Sequence, residues 1–432
     1  MRRVSIFGIT PGMRLAHDIK GPAGELLLRS GMALDHSHLR QLKQRNCLFV
    51  DVQDGVTDDI EMAETISDRV HITTTQALQS MHAVLKNAAD ASVDTHKEEF
   101  ARRYLQSRGF ARNTREAKPV YALAAAAAVM VDEVLDSNAT LGLNQTRFFD
   151  DYTFQHSVST TIAGAILGRE LGWDKETLTH LSTECLMHDI GKIFVDREII
   201  NKPGKLTPEE IEIVKQHAQI GYEASLQIFG PGVLSNHISF QHHERQDGSG
   251  YQRGLRGSNQ EVNPRMKNNP DHILPIAQLA SIADVYDALN SDRPYRPTVP
   301  PDMLAELLFD LSGGHLNAAL LERFLAVLEL YPPGSEVLLH GPAGVEGLTG
   351  VVVRGGKADR SRPLVRVLYD PSGNALQPFE INLEEDPEIL VESTLIFAKG
   401  SLEAMPTEEG ARMLDMAHSA ALIELESPLI CA

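Results

Sequence analysis

Residues 187–192 read Met187-His188-Asp189-Ile190-Gly191-Lys192. The pair His188-Asp189 stands near the end of a helical, mainly apolar stretch. A buried polar group needs a partner, and a buried ionised carboxylate needs charge compensation. A divalent metal supplies both. Of the chain's 17 histidines, His156, His180, His188, His217, His237, His242 and His243 fall in one stretch around this pair. A second polar cluster, His242-His243-Glu244, precedes a glycine loop. Imidazole and carboxylate donors without thiolate suit Fe, Mn, Zn, Co or Ni. A carboxylate has two oxygens. Asp189 is therefore a natural bridge in a two-metal site, where the ions lie about 3.5–4 Å apart. Cys185, one helical turn earlier, is read as a packing residue.

Around this centre, residues 140–330 are predominantly helical. Thr207-Pro208-Glu209-Glu210 marks a helix start, with Thr as N-cap, Pro at the first helical position and Glu at the third. Asp174 before Lys175-Glu176 is a second N-cap. Upstream, residues 54–139 read as a helical connector, in which Ala77, Leu78, Met81, Val84 and Leu85 recur at three- and four-residue spacing. The alanine run at 122–128 opens a helix expected to pack closely in the core; the same helix could support a homodimer. Residues 1–53 read as a small β-rich unit, with short strand-like pieces between Thr10-Pro11-Gly12 and Gly21-Pro22-Ala23-Gly24 and one short helix at 35–44. After the breaker Tyr331-Pro332-Pro333-Gly334, short alternating runs predict a small β-barrel-like domain over 331–395. Residues 396–432 are expected to form a helix and a tail. The fold class expected is mainly α, a helical core flanked by two small β units.

Composition narrows the function. The 432 residues carry 40 Lys+Arg against 59 Asp+Glu, a net charge of −19. Such a chain repels duplex DNA and anionic membranes overall, so no DNA partner is expected. The cysteines Cys47, Cys185 and Cys431 are few and scattered, which fits a reducing compartment. The longest apolar run, Val120 to Val131, is too short to cross a bilayer, which takes about 20 residues, so no membrane insertion is expected. The twin arginine of MRRVSIFGITPG is followed by no apolar segment, so no export signal is read and a cytoplasmic location is expected.

The motifs also resemble a family. His188-Asp189-Ile190-Gly191-Lys192 matches the core of HD-domain phosphohydrolases. The block from His242 through Glu244, Asp247, Gly248 and Gly250 to Tyr251 looks like the extended motif of the HD-GYP subgroup. His217-Ala218-Gln219-Ile220-Gly221-Tyr222, Asp284-Val285-Tyr286-Asp287 and Arg293-Pro294-Tyr295-Arg296 complete five blocks in the family's order. The resemblance covers about residues 150–330. It implies an all-helical bundle with ligands projecting into one cleft. One metal would be held by His156, His188, Asp189 and Asp284, and the second by His217, His242 and His243, with Asp189 bridging. The expected cofactors are two divalent ions, Fe or Mn. The implied activity is hydrolysis of cyclic di-GMP to the linear dinucleotide pGpG and, in some members of the family, on to GMP. Asp189 and Lys192 are the expected catalytic residues. Lys192 would contact phosphate or assist the leaving group, while Arg293 and Arg296, three apart, can fork onto phosphate oxygens or a guanine edge. Glu244, Asp247 and Asp287 are expected to brace the ligands from behind.

Three departures from the family pattern stand out. The proline of the GYP motif is Gln252 here, which is expected to loosen the loop. Residues 258–271 form a longer polar connection than usual, read as a tolerated surface insertion. Tyr152 stands where some members place a glutamate for a third metal, so two ions are expected. His180 and His237 are read as structural and His272 as exposed. The competing functional readings are a module that senses the nucleotide and signals to partner proteins through its β units, and hydrolysis of another nucleotide such as cyclic GMP-AMP.

Overall fold

The computed structural model describes residues 1–90, 118–137, 152–290 and 301–393, with short breaks at 7, 22–23, 45–46, 48, 63–64, 201, 203–205, 231–235 and 266–268, and the single positions Leu105, Ser107, Phe110 and Leu141. The expectations for Arg293, Tyr295 and Arg296 and for the helix at 396–432 lie outside the described residues.

The N-terminal unit comprises strands β1 (Arg2–Ser5), β2 (Arg14–Leu15), β3 (Ile19–Lys20) and β4 (Leu26–Leu28), helix α1 (His36–Gln44) and strand β5 (Phe49–Gln53). They pair antiparallel as β1-β5-β2 and β3-β4 over a core that includes Val4, Leu15, Leu42 and Val52. Helices α2 (Asp68–Asp90) and α3 (Lys118–Asp136) follow. They are not a detached connector. Leu78, Met81 and Leu85 of α2 and Leu123, Ala127, Met130 and Val134 of α3 are buried in the main helical core. The alanine run splits across α3, with Ala126 and Ala127 buried and Ala122 and Ala125 exposed. Small side chains on the inner face let the two helices pack closely.

The remaining helices are α4 (Tyr152–Glu170), α5 (Lys175–Cys185), α6 (Arg197–Ile200), α7 (Pro208–Phe229), α8 (His237–Gln241), α9 (Pro275–Asn290), α10 (Pro301–Asp310) and α11 (Ala318–Val327). Their starts are set as the sequence implies. Asp174 accepts from the Thr177 amide at 2.9 Å, and Thr207 and Glu210 cap each other reciprocally at the start of α7. Helix α9 is buried from Ile276 to Asn290, with apolar side chains over most of its surface and one polar stripe of Gln278, Ser281, Asp284 and Asp287 at three-residue spacing. It packs along α4, and α5 lies against α3 and α4.

The C-terminal unit is one antiparallel sheet of β6 (Glu336–His340), β7 (Thr349–Arg354), β8 (Leu364–Tyr369), β9 (Ala375–Asn382) and β10 (Leu390–Ser393). The order β10-β6-β7-β8-β9 leaves β10 and β9 at its two edges. The two β units touch. The Arg3 amide donates to the Gly334 carbonyl at 2.8 Å, Arg2 bridges Asp54 and Glu336, and Arg366 meets Asp59 at 2.6 Å. Ile60 is buried against Val351 and Leu368. Among the described residues, no helix is long and apolar enough to cross a membrane.

One contact fixes the geometry of the centre. A short 3-10 helix, Ile190–Phe194, runs directly against α7. A Cβ on Gly191 would stand 1.9 Å from the His217 carbonyl oxygen and 2.8 Å from the Gly221 nitrogen. Only glycine lets these backbones approach. Gly191→Ala is therefore expected to lower stability by about 1–3 kcal/mol, as overpacked sites do. Gly221→Ala, whose Cβ would come no nearer than 3.3 Å to the Ser239 Cβ and 3.5 Å to the Gly191 nitrogen and His188 carbonyl oxygen, should cost less. Thermal unfolding of the two variants checks the order; equal losses would refute the close approach as the constraint.

Candidate metal centre

Each imidazole of the centre is aimed by its own element. His156 projects from the first turns of α4. His188 and Asp189 sit in the turn between α5 and the 3-10 helix. His217 lies in mid α7, His242 and His243 follow α8, and Asp284 lies in α9. All are buried. His188 Nδ1 is 2.7 Å from the Cys185 carbonyl oxygen, His217 Nδ1 is 2.7 Å from that of Val214, and His242 Nδ1 is 3.0 Å from that of Ile238. A carbonyl oxygen only accepts, so each Nδ1 carries the proton. The neutral ring then presents an Nε2 lone pair to the centre, which is how metal-binding histidines are oriented. His156 Nδ1 is held in the same way by the Asp287 carboxylate at 2.7 Å.

The Nε2 atoms converge. His156 Nε2 lies 3.2 Å from His188 Nε2 and 3.0 Å from Asp284 Oδ1. His217 Nε2 lies 3.4 Å from His242 Nε2 and 3.2 Å from His243 Nε2. Asp189 stands between the two groups. Its Oδ2 is 3.4 Å from His188 Nε2 and 3.7 Å from His156 Nε2. Its Oδ1 is 3.4 Å from His217 Nε2 and 3.9 Å from His242 Nε2. Three sets of donors, His156/His188/Asp284, His188/Asp189/His242 and His217/His242/His243, are each tight enough to hold a metal ion. Asp189 Oδ1 and Asp284 Oδ2 are buried and accept no hydrogen bond among the described residues. Orphaned carboxylate oxygens facing lone pairs fit a cation between them.

The two halves differ electrostatically. Burial lowers His217 to about 3 and His242 to about 4, and the attraction of Asp189 only partly offsets it. Burial acts the same way on His188, but Asp189 and Asp284 outweigh it and raise the ring to about 10. His156 is also raised, because Asp284 and Asp287 overcome its burial. Burial would raise Asp189, but Lys192 and His188 bring its carboxyl well below the usual range. Lys192 reaches Asp189 Oδ2 at 2.6 Å. The 3-10 turn explains this, since residues three apart eclipse each other there.

The supporting residues lie as follows. Glu244 accepts from the amides of Arg253 at 2.7 Å and Leu255 at 2.8 Å, closing the glycine loop. Asp247 accepts from the Ser249 amide at 2.8 Å, and its own amide donates to the Gly314 carbonyl. It braces the loop and is remote from the imidazoles in hydrogen-bonding terms. His180 and His272 are exposed. His237 stacks beside Tyr222. The insertion is strapped down: Asn259 bonds Gly313 and Ala318, and Arg265 reaches Asp174. The expectation for Gln252 is corrected. It does not loosen the loop, because its Nε2 donates to the Lys215 carbonyl at 2.6 Å. Its φ of 96° is one that proline, fixed near −65°, cannot adopt. Tyr152 begins α4, and its side chain lies outside the described residues.

Sequence reasoning gave no role to Tyr251, whose ring stacks on His243 at 4.6 Å with Lys215 Nζ 5.6 Å from its centroid. Nor did it find the buried Gln246–Gln278–Asn317 network beneath the loop. Neutral amides carry no periodicity or charge signal that marks them from outside.

The profile of the HD domain matches residues 130–308. The chain is 30% identical over 257 residues to cyclic di-GMP phosphodiesterase PA4108 of Pseudomonas aeruginosa, covering 58% of each chain. It is 34% identical over 182 residues to a cyclic di-GMP phosphodiesterase of Thermotoga maritima, covering 42% of this chain and 46% of that one. It is 33% identical over 189 residues to 3'3'-cGAMP-specific phosphodiesterase 1 of Vibrio cholerae, covering 44% of this chain and 40% of that one. The chain thus spans about half the length of the curated relatives it matches. HD-domain phosphohydrolases are metal-dependent, in keeping with the donor sets described above. The match over 130–308 contains the His188–Lys192 and His242–Tyr251 motifs, so the chain carries an HD domain similar to those of these phosphodiesterases.

Proposed function

We propose that this protein is a metal-dependent phosphodiesterase that hydrolyses cyclic di-GMP to linear pGpG and then GMP in the cytoplasm. One observation carries the reading: the two oxygens of Asp189 face two different groups of histidines. That is the arrangement of a carboxylate bridging two cations. In this reading His156, His188 and Asp284 hold one ion, His217, His242 and His243 hold the other, and the ions are Fe or Mn. Bound divalent ions supply a lowered water pKa and polarisation of phosphoryl oxygens.

The chain's own groups do the rest. The backbone carbonyls of Cys185, Val214 and Ile238 hold the imidazoles in the ligating tautomer. Asp287 does the same for His156. Lys192 is mostly buried and paired with Asp189. Its ammonium can turn from Asp189 to a phosphate oxygen or leaving alkoxide once cations balance the carboxylate. Tyr251 caps His243 on the side of Lys215, which puts an aromatic face and a cation at one margin of the centre. Arg293 and Arg296 are the proposed phosphate or guanine contacts. A homodimer formed through α3 belongs to this reading, supported by the exposure of Tyr121 and Val129 on that helix, as do signalling partners at the β units.

A second substrate has support of the same kind, since relatives that act on 3'3'-cGAMP match as well as those that act on cyclic di-GMP. The assay is anaerobic chromatography of cyclic di-GMP and 3'3'-cGAMP with Fe(II) or Mn(II), beside Asp189→Ala. Wild type is expected to turn over cyclic di-GMP to linear product, with loss of at least about 1000-fold in the variant, the scale of removing a central electrostatic element. Preference for 3'3'-cGAMP would move the substrate. Absence of product from both, with metal bound, would replace the enzyme by a nucleotide sensor.

Acid should strip the two halves unequally. His188, raised to about 10 by its carboxylates, keeps a proton that an ion must displace throughout the range below that value, and His156 is raised in the same direction by Asp284 and Asp287. His217 and His242, lowered to about 3 and 4, are already deprotonated at neutral pH. As pH falls from about 8 to 5.5, the ion at His156/His188/Asp284 is therefore expected to leave first, because ligand protonation competes with metal. Metal content measured after dialysis at each pH should step from two equivalents to one. Joint loss of both ions at one pH would contradict the asymmetry.

A further inference from the structure

A buried carboxyl outside the ligand set ties together three of the segments that carry the ligands. Glu184, in the last turn of α5, is 1% exposed. Its Oε1 accepts hydrogen bonds from Ser225 Oγ and Ser239 Oγ, both at 2.8 Å. Ser225 lies on α7, two turns beyond His217. Ser239 lies on α8, one turn before His242. Glu184 itself is one turn before His188. The serines are fully buried too, so water does not compete for these bonds. Ser239 Oγ also lies 3.5 Å from the Met187 carbonyl oxygen. Glu184 touches no ligand side chain in this set of bonds; it acts only on the backbones that carry them.

Its chemistry is unusual for the place. Leucine or alanine would fill an interior helix turn at less desolvation cost. Burial pushes the carboxyl up to about 7, against the pull of the two serines. Oε2 accepts no hydrogen bond among the described residues. A buried polar group that is only half satisfied weakens packing, so stability alone does not account for it. What it supplies is direction. Two hydrogen bonds to one oxygen constrain α7 and α8 relative to the His188-Asp189 turn in direction as well as distance, which non-directional apolar contacts do not.

We infer that Glu184 is a positioning residue that, through Ser225 and Ser239, sets the spacing between the His188/Asp189 side and the His217/His242/His243 side of the centre, so that Asp189 reaches both. The inference rests on the two-metal reading above. It adds a residue whose role is to hold the bridge in register.

The test uses the full chain and Mn(II) alone, read by equilibrium binding and by electron paramagnetic resonance, where two ions joined by a bridge give an exchange-coupled signal. Three variants are compared: Glu184→Gln, Ser239→Ala, and the apolar triple Glu184→Leu/Ser225→Ala/Ser239→Ala. Gln keeps the shape and the accepting oxygen, so wild-type affinity and coupling are expected. Ser239→Ala should weaken the second Mn(II) about 10-fold, the lower end of what removing a ligand-orienting partner costs. The triple variant removes the polar groups together, so its melting temperature should stay near wild type. Its coupled signal should give way to that of isolated Mn(II). If Ser239→Ala and the triple variant keep wild-type affinity and coupling, Glu184 only fills space and the inference is wrong. Should the triple variant not fold, Ser239→Ala alone decides in the same way. If wild type itself binds one Mn(II) with no coupling, the two-metal reading fails first, and that result is distinct from the other.

Discussion

Five imidazoles and two carboxylates share a volume from which water is excluded, and their lone pairs point at one another. His156, His188, His217, His242 and His243 come within 3.2–3.4 Å in neighbouring pairs. Protons on His156 and His188 can offset the two carboxylates, but they leave the lone pairs of His217, His242 and His243 facing one another. Protonating every ring would bury five positive charges against two negative ones, and leaving all neutral strands the carboxylates. Cations resolve the conflict, because one ion accepts several lone pairs and balances carboxylate charge at once. The rest of the helical domain can be understood as the means of holding these groups close enough for a cation to bind among them. Carbonyls at the ends of helical turns fix the rings, glycine at 191 admits α7 to contact distance, and the all-buried helix α9 carries Asp284 through the middle.

The outer layers serve this centre by restricting movement. The Glu244 carboxylate closes the glycine loop on two amides, and the loop's Gln252 is bonded to α7 through Lys215. Gly250 sits where a Cβ would meet the Arg245 nitrogen and the His243 carbonyl oxygen at 2.5 Å, so the loop folds back on the turn that presents His243. Tyr251 thereby arrives on the face of the His243 ring. The positive φ at Gln252 is local strain of a kind that persists only where surrounding bonds over-determine the backbone. Its place beside a ligand-bearing turn fits that rule.

Much of the centre was legible in the sequence. Histidine beside aspartate in an apolar helical stretch is costly enough to need an explanation, and the five spaced blocks supply one by resemblance. The capping signals at Asp174 and Thr207 also read through, because caps are local chemistry. What did not read through was tertiary. Residues 54–139 carry the stripe of an amphipathic helix, but a stripe does not say what covers it; α2 and α3 turned out to pack into the main core. The two β units lie at opposite ends of the chain, and nothing local announces that Arg2 will meet Glu336 or Ile60 will meet Val351. Gln252 was misread because a missing proline suggests slack, whereas a side-chain amide can anchor a loop by bonding. Glu184, Ser225 and Ser239 were invisible for the same reason: three unremarkable polar residues become a joint only when three helices converge.

The asymmetry of the donor sets has a consequence for the proposed chemistry. One side combines His156 and His188 with Asp284 and is backed by Asp287. The other side offers three neutral imidazoles and a share of Asp189. A dication among carboxylates has most of its charge balanced, while one among imidazoles keeps more of it. The His217/His242/His243 side is thus the more electropositive, and it is the side on which Tyr251 and Lys215 are layered. An anionic phosphodiester is drawn to where positive charge is least compensated. The carboxylate-rich side, by contrast, draws a cation mainly through Asp284 and Asp189, with the His156 ring held by Asp287. In the proposed chemistry the difference between the two halves, set by where the aspartates fall in α9 and in the 3-10 turn, therefore gives the bridge a direction, with the phosphate on the imidazole side.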